Sequence, residues 1–330
     1  MNPQKIRIGI LGTASIAVRS IIPTILSLKD RFQLIGIASR DLSKANSFAK
    51  SFECKAYQNY EDLLKDGAID AVYIPLPNSL HNKYVQMALD LGKHVLVEKS
   101  LGCNLAEVNE MNSKARTKSL VLLENFQFRK HSQFQKIINL VNDGIIGELR
   151  LSRVAFGFPP FPDPNNIRYD PELGGGALLD AGAYALKIAP YFLGENIFVS
   201  QATMSKDYLG VDLWGSGVIG QKDGALTCQF GFGFDNSYQC SLELWGSLGK
   251  LSTNRIFTAP PHYCPKLLIE KAGTIDEQTL SKDDHFINML NYFYELINGS
   301  SDREIEYRGN LMQGELIDQF KNLARDKQIC

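Results

Sequence analysis

The chain has 330 residues, enough for two domains with a substantial core, and its 35 basic residues are balanced by 36 acidic ones at a formal charge of -1. No run of like charge suggests a nucleic-acid groove or a membrane patch, no apolar stretch is long enough to span a bilayer, and the N-terminus lacks a signal-peptide pattern. The cysteines at 54, 103, 228, 240, 264 and 330 have neither paired nor zinc-like spacing, so the expectation is a cytoplasmic protein without structural disulfides or a metal centre.

The first third alternates strand and helix. Residues 5–11 form an apolar strand, 15–28 carry helical spacing through Ile16, Ile21, Ile22, Ile25 and Leu28, and 33–39 form a second strand. A helix over 42–52, a short strand KAYQ, a helix YEDLLKD, a strand over 71–77 and a helix over 83–92 follow. The strand HVLVEK (94–99), a helix over 104–117 and the strand LVLLENF (120–126) complete the series. Such alternation calls for a parallel, doubly wound sheet. One detail is discordant: the buried run Val95 to Val97 leads straight into Glu98 and Lys99, and buried strands disfavour charge. Either the pair lies in a solvated loop, or it stands at a strand's carboxyl end facing a ligand.

From about residue 127 the pattern changes. A helix over 134–144 precedes a polar, proline-rich loop and a second helix beginning near Ala177. Strand-like stretches then follow without helices between them: LRLSRVAFGF, FVSQATMS, LWGSGVIG, ALTCQFGFGF, SYQCSLELWG and KLSTNR. Helices are expected again over 283–297 and 310–326. The fold class is therefore α/β: a Rossmann-type dinucleotide-binding domain over 1–124, then an α+β domain over 125–330 with a large, mostly antiparallel sheet.

The first strand runs into Gly12-Thr13-Ala14-Ser15-Ile16-Ala17, a partial match to the dinucleotide fingerprint in which Ala14 replaces the second glycine. The methyl narrows the space for a pyrophosphate without closing it, and the following helix offers N-terminal amides to an anion. After the second strand an NAD site wants an acid for the ribose 2′-hydroxyl, whereas NADP wants a cation. Here Ser39 and Arg40 occupy that place, Lys44 follows one turn into the helix, and Asp41 comes late. NADP is the expected cofactor, with NAD the alternative.

Together GTASIA, PLPNSLH (75–81), VEKS (97–100), FRKHSQ (128–133) and GGGALLDAGAY (174–184) resemble the Gfo/Idh/MocA oxidoreductases, relatives of glucose–fructose oxidoreductase and inositol dehydrogenase. The alanine in the glycine loop, the Ser-Arg pair and the tyrosine of the last motif resemble the NADP-dependent ketoreductases acting on C3 of dTDP-3-keto sugars, and also the dihydrodiol and xylose dehydrogenases. The resemblance implies that Lys99 is the active-site lysine, able to donate hydrogen bonds to a substrate oxygen. It implies that Tyr184, where many relatives carry histidine, delivers a proton, with a nearby Lys99 lowering its pKa. Ser100 departs from the motif's proline, which removes a φ restraint from the lysine turn.

The glycine-loop residues, Ser39, Arg40, Lys44, Pro75, Leu76, Asn78, His81, Glu98 and Lys99 are implied on the cofactor side, Pro77 with them; His81 reads equally as a surface histidine. Asn125, Arg129, His131, Arg168 and Asp180 join Lys99 and Tyr184 on the substrate side. Arg168 is suited either to a diphosphate or to a surface carboxylate, and Asp180 and Tyr184, four apart, share a helix face. The implied activity is hydride transfer between NADP(H) and a sugar carbon, C3 of a keto nucleotide sugar first. A dehydrogenase of a free sugar, polyol or dihydrodiol and an NADP-binding regulatory protein are the alternatives. The implied assembly is a homodimer or homotetramer through the antiparallel sheet.

Overall fold

The computed structural model describes residues 5–206 and 210–325, so Cys330 lies outside it. The chain divides into two compact units, one running to Asn125 and including Phe286–Leu311, the other comprising Phe126–His285 and the chain from Met312.

The first unit is built on six strands: β1 (Ile6–Leu11), β2 (Phe32–Ala38), β3 (Lys55–Tyr57), β4 (Ala71–Ile74), β5 (His94–Val97) and β6 (Leu122–Glu124). Their order is β3-β2-β1-β4-β5-β6 and every pairing is parallel. Helices α1 (Ile22–Ser27), α2 (Leu42–Ser51), α3 (Tyr60–Lys65), α4 (Asn78–Asp90) and α5 (Leu105–Thr117) lie between the strands. Side chains alternate between the faces, so Val95 and Val97 of β5 join one apolar cluster and Leu96 the other. Strand order reverses between β1 and β4, the place where doubly wound sheets open a crevice beyond their carboxyl ends.

Three strands end earlier than the sequence pattern suggests, at Ile74, Val97 and Glu124 rather than 77, 99 and 126. After β4 the apolar run goes on through Pro75, Leu76 and Pro77 once the chain has left the ladder, whereas β5 and β6 stop where the sequence turns polar. Glu98 and Lys99 thus stand just beyond β5, which removes the conflict of two charges inside a buried strand. Helix α4 begins five residues sooner than expected, so Asn78 and His81 belong to its first turns and not to a loop. Pro77 starts it, since a residue without an amide hydrogen costs nothing at a helix N-terminus.

In the second unit, α6 (Ser132–Asn142) precedes β7 (Leu149–Gly157), and a π-helical turn (Leu178–Gly182) leads into α7 (Ala183–Ile188) and α8 (Pro190–Leu193). Strands β8 (Ile197–Lys206), β9 (Asp212–Gln221), β10 (Thr227–Gly233), β11 (Gln239–Gly246), β12 (Gly249–Asn254), β13 (Lys266–Lys271) and β14 (Thr274–Thr279) complete an eight-stranded sheet. Its order is β14-β13-β12-β11-β7-β10-β9-β8, antiparallel throughout except for β7 beside β10. One face buries Val154, Phe156, Phe230, Phe232, Leu242 and Leu244; the other carries Arg153, Gln229, Glu243 and the exposed Trp214 and Trp245. The β13–β14 hairpin is absent from the sequence reading. Its turn residues Ala272 and Gly273 have φ of 49° and 78°, a hairpin turn carried without the usual Asn-Gly signal, and β14 is almost wholly exposed, as a polar edge strand should be.

Two helices close the chain, α9 (His285–Ile297) and α10 (Arg303–Arg325). The boundary drawn at 124/125 from the sequence places both in the second domain, whereas residues Phe286–Leu311 pack in the first unit. Met289, Leu290, Phe293 and Leu296 of α9 join the cluster under β1, and Tyr294 meets Phe32 edge-on at 5.9 Å. Asn112 of α5 donates to Tyr307 O at 2.6 Å. Pattern reading sees an amphipathic helix but not which distant sheet receives its apolar face. Phe293→Ala is expected to destabilise the first unit by about 3–5 kcal/mol, read from urea unfolding followed by far-UV circular dichroism.

Candidate active site

The glycine turn leaves β1 at Gly12, whose φ of +119° suits glycine alone; a Cβ there would approach Leu76 Cδ2 to 3.1 Å. Ala14 O accepts from Ala17 N and Val18 N, which winds the helix immediately after the short loop. Residues Ala17–Ile21 are π-helical. Thr13, Ala14 and Ile16 are half-buried and Ser15 is exposed, so the backbone at this end lies open to an anion.

At the end of β2 the division of labour is plain. Asp41 Oδ1 accepts from Ser43 N at 2.9 Å, Lys44 N at 3.3 Å and Ser43 Oγ at 2.6 Å, capping α2. These bonds hold its carboxyl below the usual range, the Ser43 hydroxyl first among the causes. The acid is thereby occupied by the helix and not offered to a ribose. Arg40 and Lys44 are exposed, Arg40 beside the Tyr60 hydroxyl, and Ser39 is buried with Oγ accepting from Asp41 N. The glycine turn, the open helix start and the cationic end of β2 fit a dinucleotide carrying a 2′-phosphate.

Pro75 and Leu76 follow β4, buried against the glycine turn. Glu98, half-buried beyond β5, accepts from Tyr73 Oη and from Asn125 Nδ2, each at 2.6 Å. Burial pushes its carboxyl upward while these bonds and the neighbouring Lys99 ammonium pull it down. Glu98, Tyr73 and Asn125 thus form one network across the ends of β4, β5 and β6. Asn125 is wholly buried, and its Oδ1 has no partner among the described residues. Lys99 is half-buried, and its peptide bond to Ser100 is cis.

The surface-histidine alternative for His81 fails: the side chain is wholly buried. Nδ1 lies 2.8 Å from Ser100 O and Nε2 2.8 Å from Leu76 O. Both neighbours are acceptors, so the imidazolium serves both and the neutral ring only one. Burial lowers its pKa, opposed by the two carbonyls and the Glu124 carboxylate.

In the second unit, Tyr184 lies on α7, mostly buried among four phenylalanine rings: Phe126 at 5.1 Å, Phe156 at 5.0 Å, Phe257 at 5.2 Å and Phe128 at 6.0 Å. Such packing fixes the ring and leaves the hydroxyl as the polar feature of an apolar enclosure. The glycine run ahead of it lets the preceding loop fold onto the helix start. Gly176 N donates to Arg168 O and Gly175 N to Asp170 O, and a Cβ at Gly175 would come within 2.5 Å of Arg168 O. Asp212 Oδ2 accepts from Leu178 N at 2.5 Å, capping the π-helical turn.

Of the two readings of Arg168, the structure shows the carboxylate, though not a surface one: Nε donates to Asp180 Oδ2 at 2.6 Å, and the guanidinium lies over Phe161. His131 is 1% exposed, and its Nδ1 accepts from Gln133 N, capping α6. Burial lowers its pKa too. Arg129 is half-buried in a 3-10 turn (Gln127–Lys130). The substrate-side set is thus divided: Lys99 and Asn125 belong to the first unit, and Arg129, His131, Arg168, Asp180 and Tyr184 to the second.

Sequence reading missed Tyr73, Glu124, Asp212 and the phenylalanine enclosure. Glu124 is 1% exposed and accepts from Leu101 N at 2.8 Å. A signal for it existed, a polar pair closing the apolar run LVLLEN. Tyr73 and the phenylalanines carried none, since aromatic residues in apolar stretches read as core.

Comparison with known proteins bears on the same residues. A model of the oxidoreductase family with an NAD-binding Rossmann fold matches residues 6–126, and one of the GFO/IDH/MocA C-terminal domain matches 134–252. The chain belongs to the Gfo/Idh/MocA oxidoreductase family. Among its relatives is the dTDP-3,4-didehydro-2,6-dideoxy-alpha-D-glucose 3-reductase of Saccharopolyspora spinosa, 40% identical over 85% of this chain and 84% of that protein. The D-xylose 1-dehydrogenase (NADP(+)) 2 of Haloferax volcanii is 31% identical over 96% of each. A 3-ketoreductase from Actinomadura kijaniata, solved in complex with NADP and TDP-benzene, superposes with a TM-score of 0.93 at 32% identity, over 97% of this chain and 98% of that one.

His285 meets the His131 ring edge-on at 5.9 Å, and burial drops its pKa to about 4. Between the ordinary value and pH 4 the unfolded chain therefore binds the proton and the folded one does not, so stability falls as pH falls through that window. The loss expected from this residue is about 3 kcal/mol by pH 4. Urea unfolding between pH 7 and pH 4 is expected to give a shallower pH slope for His285→Gln.

Proposed function

We propose that the protein reduces the C3 keto group of a nucleotide-linked sugar with NADPH, Tyr184 supplying the proton and Lys99 holding the oxygen. Bound NADPH supplies the hydride. As negative charge develops on the sugar oxygen, the phenol of Tyr184 gives up its proton to that atom. The Lys99 ammonium donates a hydrogen bond to the same oxygen and favours the charge. The phenylalanine enclosure keeps water from the phenol, and Arg40 with Ser39 receives the 2′-phosphate.

The observation that carries this reading is Tyr184, a phenol fixed by four rings in the family's last motif. Support comes from relatives of nearly full length that are named 3-reductases, and from the Actinomadura 3-ketoreductase solved with NADP and TDP-benzene. That enzyme has also been solved as two separate variants, one with a tyrosine replaced by phenylalanine and one with a lysine replaced by alanine, the two residue types assigned here. One observation favours a second reading, oxidation of a free sugar: Arg168 is bonded to Asp180, which leaves it poorly placed to clamp a diphosphate. Kinetics on nucleotide-linked and free sugars separate the two.

Assembly through the open face of the eight-stranded sheet, as a dimer or tetramer, is part of the proposal, supported by the exposed Trp214 and Trp245 there. So is a cytoplasmic setting, supported by Cys54, Cys103, Cys228, Cys240 and Cys264, none of which forms a disulfide among the described residues. Among the described residues no helix is long and apolar enough to cross a membrane.

With NADPH and a 3-keto nucleotide sugar, Tyr184→Phe is expected to lower kcat about 10²-fold or more, and Lys99→Met about 10²–10³-fold. Arg40→Ala should raise the KM for NADPH roughly tenfold and leave that for NADH nearly unchanged. A Tyr184→Phe, Lys99→Met double variant turning over at the native rate would refute the assigned roles. Sedimentation velocity on the purified chain is expected to give a dimer or tetramer, shifted toward monomer by Trp245→Glu.

A further inference from the structure

The residue that follows Lys99 is gripped on both polar sides of its backbone by one helix. Ser100 N donates to Asn78 Oδ1 at 3.1 Å, and Ser100 O lies 2.8 Å from His81 Nδ1. Asn78 and His81 are three apart on α4 and so share a face. Ser100 and His81 are both wholly buried. The other ring nitrogen of His81 reaches Leu76 O, in the loop that lies against Gly12. One helix face therefore ties the lysine turn to the wall of the glycine turn.

The amide hydrogen that Asn78 accepts exists because residue 100 is serine and not proline. Buried without a partner, that N–H would cost more than the bond itself contributes. Asn78 thus answers a need that Ser100 creates, whereas the carbonyl that His81 meets would be present with either residue.

We propose that Asn78 and His81 are positioning residues for Lys99, acting through the Ser100 backbone. The inference rests on the role given to Lys99 under the proposed function. By holding the next residue's amide and carbonyl, the pair fixes the backbone from which the Lys99 side chain departs, and with it the direction of the ammonium. A group misplaced by a fraction of a bond length loses most of its catalytic value, so the effect belongs to turnover and not to cofactor affinity.

The test is a mutant cycle in the full chain. Asn78→Ala and His81→Leu are each made with Ser100 and with Ser100→Pro, reading kcat at saturating NADPH with a 3-keto nucleotide sugar, and NADPH Kd by fluorescence quenching. Asn78→Ala is expected to lower kcat roughly tenfold beside Ser100 but under about twofold beside Ser100→Pro, with Kd changed less than about twofold in both. His81→Leu is expected to lower kcat roughly tenfold in either setting. An equal Asn78→Ala loss in both settings, or a loss of NADPH affinity in place of turnover, overturns the proposal. The Asn78 cycle decides it even where His81→Leu yields no folded protein. Lys99→Met is the control that separates the two readings. Native turnover in that variant defeats the assigned role of Lys99, whereas its loss alongside an additive Asn78 cycle defeats only the grip on Ser100.

Discussion

A parallel sheet covered on both faces has nowhere to put polar chemistry except beyond the ends of its strands. In the first unit that constraint decides everything downstream. Strand β5 is wholly apolar from Val95 to Val97, and its charges appear at once where the ladder stops. The same is true of Gly12 after β1, Ser39 and Arg40 after β2, Leu76 after β4 and Asn125 after β6. Five loops from five strands thus present a single edge, and the Glu98 network spans three of them. This crowding of hydrogen-bonded loop ends supplies the rigidity that the role proposed for Lys99 requires.

The second unit solves a different problem, holding a phenol still among apolar walls. Its means are local. Gly175 and Gly176 let the loop at 168–170 lie on the helix start, Asp212 caps the turn, and the helix widens to π geometry over Leu178–Gly182 just before Tyr184. The other π-helical stretch, Ala17–Ile21, follows the glycine turn. One of these turns lies inside the GGGALLDAGAY motif and the other begins at the last residue of GTASIA, in keeping with the tendency of such widenings to mark functional sites.

Much of this was legible in the residues. Strand–helix alternation exposed the parallel sheet, and the Ser39-Arg40 pair signalled the cofactor end, because each depends on neighbours in sequence. What escaped depends on partners far along the chain. The apolar face of α9 gives no hint that it packs under β1, some 280 positions earlier, and the polarity of β14 hides a strand that forms the sheet's exposed edge. The family resemblance set His81 on the cofactor side and His131 on the substrate side, and nothing local in the sequence showed that both are buried with their ring nitrogens against backbone groups. Arg168 looked available until its carboxylate appeared twelve residues on, one helical turn before Tyr184.

The central place of β7 in the eight-stranded sheet has a kinetic side. Its neighbours are β10 and β11, so Arg153 meets Gln229 and Glu243, 76 and 90 positions downstream. The first strand of the sheet to leave the ribosome therefore has no partner until β8, β9 and β10 have been synthesised. Large loops must close before either ladder forms, which slows nucleation of this unit and leaves the apolar face of β7 uncovered meanwhile.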